Sequence, residues 1–221
     1  TAFNVTQGKF KDRLRLQLFT GTETQAQSTL ANEAGSWGNA TRKLPGVAYM
    51  VARYEWKKIE TQDDADNNPY RGGIPNIKVD ILGKKVYDVT THNTGLDLSD
   101  AYADLTKTFS YNPVSQLLDY LMNPRYGGGL LQDDINADAF KIGAVKCNQQ
   151  VTYSTGGQSG KILQSNLPLS TSSQILGNVK VLLSASRSLM PYIQGRFKVK
   201  IEDGGHATDI TSSTVTSVYD V

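Results

Sequence analysis

The sequence predicts an α+β fold of antiparallel strand hairpins with about three packed helices, and three observations carry that expectation. Stretches with a period of two read as half-buried strands, as where Leu14, Leu16 and Leu18 oppose Arg13, Arg15 and Gln17. Three further stretches open on helix-capping residues followed by apolar side chains at helical spacing. The strand-like stretches come in close pairs across turn residues, which suits hairpins and not the long crossovers of a doubly wound parallel sheet.

Residues 11–18 are expected to form a strand with its leucines inward. Residues 20–41 are rich in Thr, Gln, Ala, Gly and Asn, with Trp37 as the one large anchor; they read either as a weak helix near 25–34 or as a long connection. Residues 47–59 are β-branched and aromatic on both faces near their start, which predicts a central strand. Asp63, Asp64, Asp66, Asn67, Asn68, Pro69 and the Gly72-Gly73 pair then mark a polar surface loop. Ile77, Val79 and Ile81 alternate with polar residues, and Gly83 separates them from Lys84-Lys85-Val86-Tyr87, the pattern of a hairpin.

Asn112 and Pro113 predict a helix start, because the asparagine caps first-turn amides and the proline gives up an N–H that has no helical partner. Val114, Leu117, Leu118 and Leu121 form its apolar stripe, and Asn123-Pro124 ends it. A second helix is signalled by Asn136, with Ile135 and Phe140 placed for a hydrophobic staple and Cys147 read as core. For the third, Thr171 and Gln174 have capping-box spacing, predicting a helix over 172–186 with Ile175, Leu176, Val179, Leu182 and Leu183 along one side. Beyond Pro191, Tyr192-Ile193-Gln194-Gly195 leads into Phe197, Val199 and Ile201, alternating with Lys198 and Lys200, a hairpin with a basic outer face.

Composition narrows the function classes. Of 221 residues, 23 are Lys or Arg and 21 Asp or Glu, and the net charge of +2 is too small to select duplex nucleic acid by bulk electrostatics. One cysteine precludes an intramolecular disulfide, and two histidines, His92 and His206, cannot build a dense His/Cys metal cluster. No apolar run reaches the roughly 20 residues of a membrane span, and the first residues lack the pattern of a signal peptide. A start at Thr1 and a strand-like Tyr219-Asp220-Val221 end lead us to expect a piece of a longer polypeptide.

The chemistry-bearing motifs are weak. Tyr126-Gly127-Gly128-Gly129 and Thr155-Gly156-Gly157-Gln158-Ser159-Gly160-Lys161 lack the spacing of a phosphate loop and read as turns. The acidic loop has Pro69 where a calcium loop needs glycine, and Asp97, Asp100 and Asp104 read as a solvated helix face. Neither histidine lies by a nucleophile elbow, and both read as surface residues. No cofactor or metal is expected. Tyr49, Tyr54, Trp56, Tyr87, Tyr111, Tyr120 and Tyr126 read mostly as packing residues, with sugar binding as the functional alternative.

One set of ordered motifs goes further. Ile74-Pro75-Asn76-Ile77 through Gly83-Lys84-Lys85-Val86-Tyr87-Asp88 is followed by Tyr111-Asn112-Pro113, Leu117-Leu118-Asp119-Tyr120-Leu121 and Asn123-Pro124-Arg125-Tyr126-Gly127, and then by Asp134-Ile135, Phe140, Ala144 and Cys147. This order resembles the central tail-tip, or baseplate hub, proteins of long-tailed bacteriophages across residues 44–203; residues 11–37 carry no matching motif. The resemblance implies a non-enzymatic structural component of the virion at the tail tip, which closes the tail tube as a ring of three and opens for DNA passage. It implies a homotrimer, contacts with distal tail or tube, tape-measure and tail-fibre proteins, transient contact with passing DNA, and no membrane span. The rivals from other classes are a tail-associated hydrolase of cell-wall or surface polysaccharide, and a host-glycan binding module anchored on exposed aromatics such as Trp37.

On this reading residues 1–73 are a mainly β segment belonging to a split hub domain, 74–205 the tail-tip-like α+β domain, and 206–221 the start of a further strand or domain. A closed ring needs two different complementary patches on each subunit. The basic candidates are Arg13, Arg15, Lys198 and Lys200, and the acidic ones Asp63, Asp64 and Asp66. Arg125 is a further candidate for bridging subunits or elements through a buried carboxylate. The plainer reading of the charged patches is a solvated surface, and that of Arg125 is a local structural role.

Overall fold

Strand β1 (Ala2–Asn4) pairs antiparallel with β2 (Leu14–Thr20), and β2 pairs with β3 (Ala48–Tyr54), giving the sheet order β1-β2-β3. This computed structural model describes residues 2–33, 42–56, 58–95, 98, 107–152 and 159–202. The chain divides into two compact units, Thr1–Val79 and Asp80–Val221.

In the N-terminal unit the faces of β2 depart from expectation. Leu14 is buried but Leu18 is exposed, whereas Gln17, on the opposite face, is only 5% exposed. The cause is helix α1 (Thr29–Glu33), whose start is hydrogen-bonded to Gln17: its Oε1 accepts from Ser28 Oγ at 2.8 Å and from the Leu30 N–H at 3.3 Å. Arg15 and Arg53, directly opposite one another across β2 and β3, both donate to Glu33 at the end of α1, which relieves their repulsion. The expected central strand forms as β3, but β3 lies at the edge and β2 holds the centre. Its aromatic residues pack sideways instead of being covered on both faces: Tyr49 stacks on its cross-strand partner Phe19 at 4.4 Å.

The expected surface loop after β3 contains a short helix, α2 (Gln62–Asp66), capped by Thr61 Oγ1, which accepts from the Asp64 N–H at 3.1 Å. Beyond it Asn68, Pro69 and Tyr70 are buried. Tyr70 donates to the Arg13 carbonyl at 2.7 Å and contacts the rings of Phe10, Tyr54 and Trp56, tying this stretch to the sheet.

The hairpin expected around Gly83 does not form. Gly83 does not adopt the left-handed conformation, and the chain leads without a turn there into β4 (Val86–Tyr87), whose antiparallel partner is β5 (Lys107–Thr108). Ile77, Val79 and Ile81 lie outside any strand, and Ile81 is 78% exposed.

The C-terminal unit is organised by helices α3 (Pro113–Met122), α4 (Ala137–Cys147) and α5 (Ile175–Ala185). Asn112 caps α3 as its sequence predicts, accepting from Val114 and Ser115, and its amide donates to the Ala144 carbonyl at 2.8 Å, which fixes α3 against α4. Asn136 caps α4, and Ile135 and Phe140 are completely buried, as the staple requires. With Val114, Leu117, Leu118, Ala144, Cys147, Val179 and Leu182 they form one continuous core. The α+β expectation holds, with three helices packed among antiparallel strand pairs.

Helix α5 starts three residues later than its capping-box spacing predicts. Ser170 and Ser172 bond each other at 2.7 Å in a turn ahead of it, and Gln174 is the cap residue with no side-chain bond. Ile175 and Leu176 are exposed while Asn178 is buried, so its apolar stripe is only partly used. Strands β6 (Gln150–Thr152) and β7 (Ser159–Lys161) pair antiparallel, placing Lys161 in a strand. The expected final hairpin is split in two: β9 (Tyr192–Ile193) pairs with β10 (Arg196–Phe197), while β8 (Ser188–Leu189) pairs with β11 (Lys200–Ile201). Gln194 and Gly195 both have positive φ, the tight turn that a two-residue hairpin loop demands. Among the described residues no helix is long and apolar enough to cross a membrane.

Candidate functional site

A cleft of about 290 Å³ opens in the C-terminal unit between one face of α3, the start of α5 and two extended segments, residues 109–111 and 165–171. Residues one turn apart on α3 supply its floor: Gln116, Asp119 and Tyr120. Asp119 is 3% exposed and is the one charged side chain on α3. Its Oδ2 accepts from the Tyr126 hydroxyl, and Lys107 Nζ stands 3.9 Å from Oδ1. Among the described residues Oδ1 accepts no hydrogen bond.

The surroundings are aromatic and amide-rich. Phe109 and Tyr111 meet edge to face at 4.7 Å on one side, and the Lys84 ammonium lies 4.6 Å over the Tyr126 ring on another. Gln116 donates to the carbonyls of Ser110 and Ser165 and accepts from Ser165 Oγ, holding the two extended segments together over α3. Asn178 of α5 donates to the Tyr120 hydroxyl and to the Ser170 carbonyl, both at 2.9 Å. The turn after α3 is fixed by close packing: a Cβ on Gly127 would lie 1.7 Å from the Tyr120 carbonyl oxygen. The Asn123-Pro124-Arg125-Tyr126-Gly127 motif therefore aims Tyr126 at Asp119.

The sequence candidates lie elsewhere. Arg125 is exposed, and the nearby buried carboxylate is engaged by Tyr126. Arg15 is ion-paired with Glu33 inside the N-terminal unit. Arg13 and Asp64 line one small crevice of that unit, so these two opposite candidates lie together in a single chain. Asp63 bonds Asn67 at 2.9 Å, and Asp66 pairs with Arg71 at 3.3 Å. In the C-terminal unit Lys200 projects from β11 into solvent and Lys198 is half-buried.

His92 is not a surface residue: it is buried, edge-on to Tyr87, because the 3-10 turn Val89–Thr91 carries it in against the core. Asp97, Asp100, Asp104, Trp37, His206 and residues 155–158 lie outside the described residues. Cys147 is core, as its helix position predicts, and burial pushes its thiol up to about 11, far from the range of a thiolate nucleophile. The described groups contain no cluster of three His, Cys, Asp or Glu residues with metal-binding geometry. The residues that composition and motif reading missed are Asp119 and Lys84; the available signal was an acidic side chain inside the Leu117-Leu118-Asp119-Tyr120-Leu121 stripe.

No protein-family model matches the chain. A curated relative, baseplate hub protein pb3 of Escherichia phage T5, is 26% identical over 196 residues, covering 78% of this chain. The chain spans 18% of that relative's length. This similarity supports a relationship to phage tail or baseplate hub proteins.

Proposed function

We propose that the chain is a structural component of a bacteriophage tail tip, part of a hub that closes the tail tube and organises attachment and DNA ejection. The observation that carries this reading is the similarity to a phage baseplate hub protein over 78% of the chain. It is supported by the physical work of the shared motifs. Asn112 caps α3 and bolts it to α4, Asn136 caps α4, and Gly127 allows the chain to pass against α3; all three build a scaffold. Among the described residues the cleft is lined by one carboxylate, whereas paired-carboxylate hydrolysis needs two flanking the scissile bond.

In the virion this hub is a homotrimer in contact with neighbouring tail proteins. Cross-linking mass spectrometry and antibody labelling of purified virions test the placement. Links to tail-tube or tape-measure proteins and label at the tail tip are expected; absence of the chain from virions refutes the reading. Turnover of peptidoglycan or surface polysaccharide by the purified protein, abolished by changing one of Asp97, Asp100 or Asp104, would favour the hydrolase. Sedimentation at rising protein concentration tests trimerisation, and a trimer that persists when Asp63, Asp64 and Asp66 are all changed to Asn removes the acidic residues from the interface.

A further inference from the structure

We propose that the cleft over Asp119 binds a pyranose ring of a cell-envelope polysaccharide. That the ligand is a sugar ring rests on the cleft's charge balance, surfaces and size, whereas its cell-envelope source rests on the hub reading. A buried carboxylate is acceptor-only, and here one oxygen is bonded to Tyr126 while the other accepts no hydrogen bond among the described residues. Leaving such an atom without a donor is costly, so the site favours a ligand that supplies one. A cationic donor is disfavoured, because Lys107 already stands 3.9 Å from that oxygen and Lys84 lies at the mouth over Tyr126. An anionic ligand would meet the Asp119 carboxylate on the floor. What remains is a neutral N–H or O–H donor.

The walls select among neutral donors. Phe109, Tyr111 and Tyr126 present ring surfaces whose faces carry negative potential and attract the polarised C–H groups of a flat apolar face. Sugar rings combine such C–H faces with a rim of hydroxyls that both donate and accept. Asn166 and Thr171 on the cleft wall supply planar amide and hydroxyl partners to that rim. A volume of about 290 Å³ lies just below the usual ligand range of roughly 300–1,000 Å³, suited to one ring and not to a long peptide. Tyr111 is 43% exposed and serves as the stacking platform at the mouth. The exposed Lys84 side chain lies over the Tyr126 ring, so a sugar stacking on that ring displaces it.

Saturation-transfer NMR on the full chain tests this with two families of probe: a peptidoglycan-derived disaccharide, and neutral hexose oligosaccharides from surface polysaccharide. Saturation of ring protons by one family identifies the source, and titration gives the affinity. Tyr111→Ala should weaken binding about tenfold, whereas Lys84→Ala, which uncovers the Tyr126 ring, should tighten it. Asp119→Asn should abolish binding; because this change also touches a buried bond, Tyr111→Ala with an unchanged circular dichroism spectrum is the deciding variant. No transfer to either family at millimolar sugar, binding indifferent to Tyr111→Ala, or preferential binding of an arginine tripeptide overturns the proposal.

Discussion

In the N-terminal unit the side chains withdrawn from water include Gln17, Gln25 and Ser28 beside Leu14, Leu30 and Tyr70, whereas in the C-terminal unit a continuous apolar cluster runs from Tyr87 through Phe140 to Ile201. The first interior is held by hydrogen bonds: the two N–H groups of the Gln25 amide are shared among the carbonyls of Lys43, Leu44 and Val47. The second is held by contact, with Phe140, Leu117 and Leu118 fully enclosed. The comparison teaches that the two units should fail differently. A polar interior is sensitive to losing one partner of a bond, and an apolar one to losing or gaining volume.

The largest effect is expected in the packed unit. Phe140→Ala should cost about 3–5 kcal/mol by opening a cavity in the α3–α4 core, read as a lower urea midpoint. Gly127→Ala should cost about 1–3 kcal/mol or more, since its new Cβ meets main chain that cannot move aside; the same assay should show it harming the fold although no apolar contact is deleted. In the polar unit, Gln17→Leu should cost about 1–3 kcal/mol even though it adds an apolar side chain to an interior position, because Ser28 Oγ and the Leu30 N–H lose their acceptor. A neutral or stabilising result would break the contrast between the units.

Smaller effects sharpen it. Glu33→Gln should cost about 0.5 kcal/mol, less at high salt, because its bonds to Arg15 and Arg53 are partly exposed. Cys147 gives a pH test specific to the packed unit. Its folded pKa of about 11 lies above the ordinary 9.0, so its contribution is fully present below pH 9 and lost as pH rises toward 11. Cys147→Ala should remove that part of the alkaline decline, measured as the unfolding midpoint against pH.

Legibility followed the range of the interaction. Asn112 and Asn136 were readable as caps because cap and amide lie within three residues of one another. The Thr171 and Gln174 signal had the same local form and failed, since the serines ahead of α5 bonded each other instead. The hairpin at Gly83 was misread because alternation alone does not say whether a glycine turns the chain, and here it does not. Arg15 and Asp66 were visible as charges, yet which residues they would pair with, Glu33 and Arg71, was shown by the folded chain. Of the cleft, the turn motif carrying Tyr126 was legible, and its meeting with Asp119 was not.

By itself the sequence determined the α+β class, the start and end of α3, the cap and staple of α4 and the core place of Cys147, all set by neighbours within a few residues and by hydrophobic period. The tertiary structure alone decided that β2 and not β3 is central, that Gln17 faces inward, that His92 is buried and that a carboxylate lies under a cleft of aromatic rings. Those outcomes depend on pairs such as Gln17 with Ser28, Lys107 with Asp119 and Tyr120 with Asn178. Such partners are separated by more residues than any local rule spans, so their bonds exist only when the fold closes the distance.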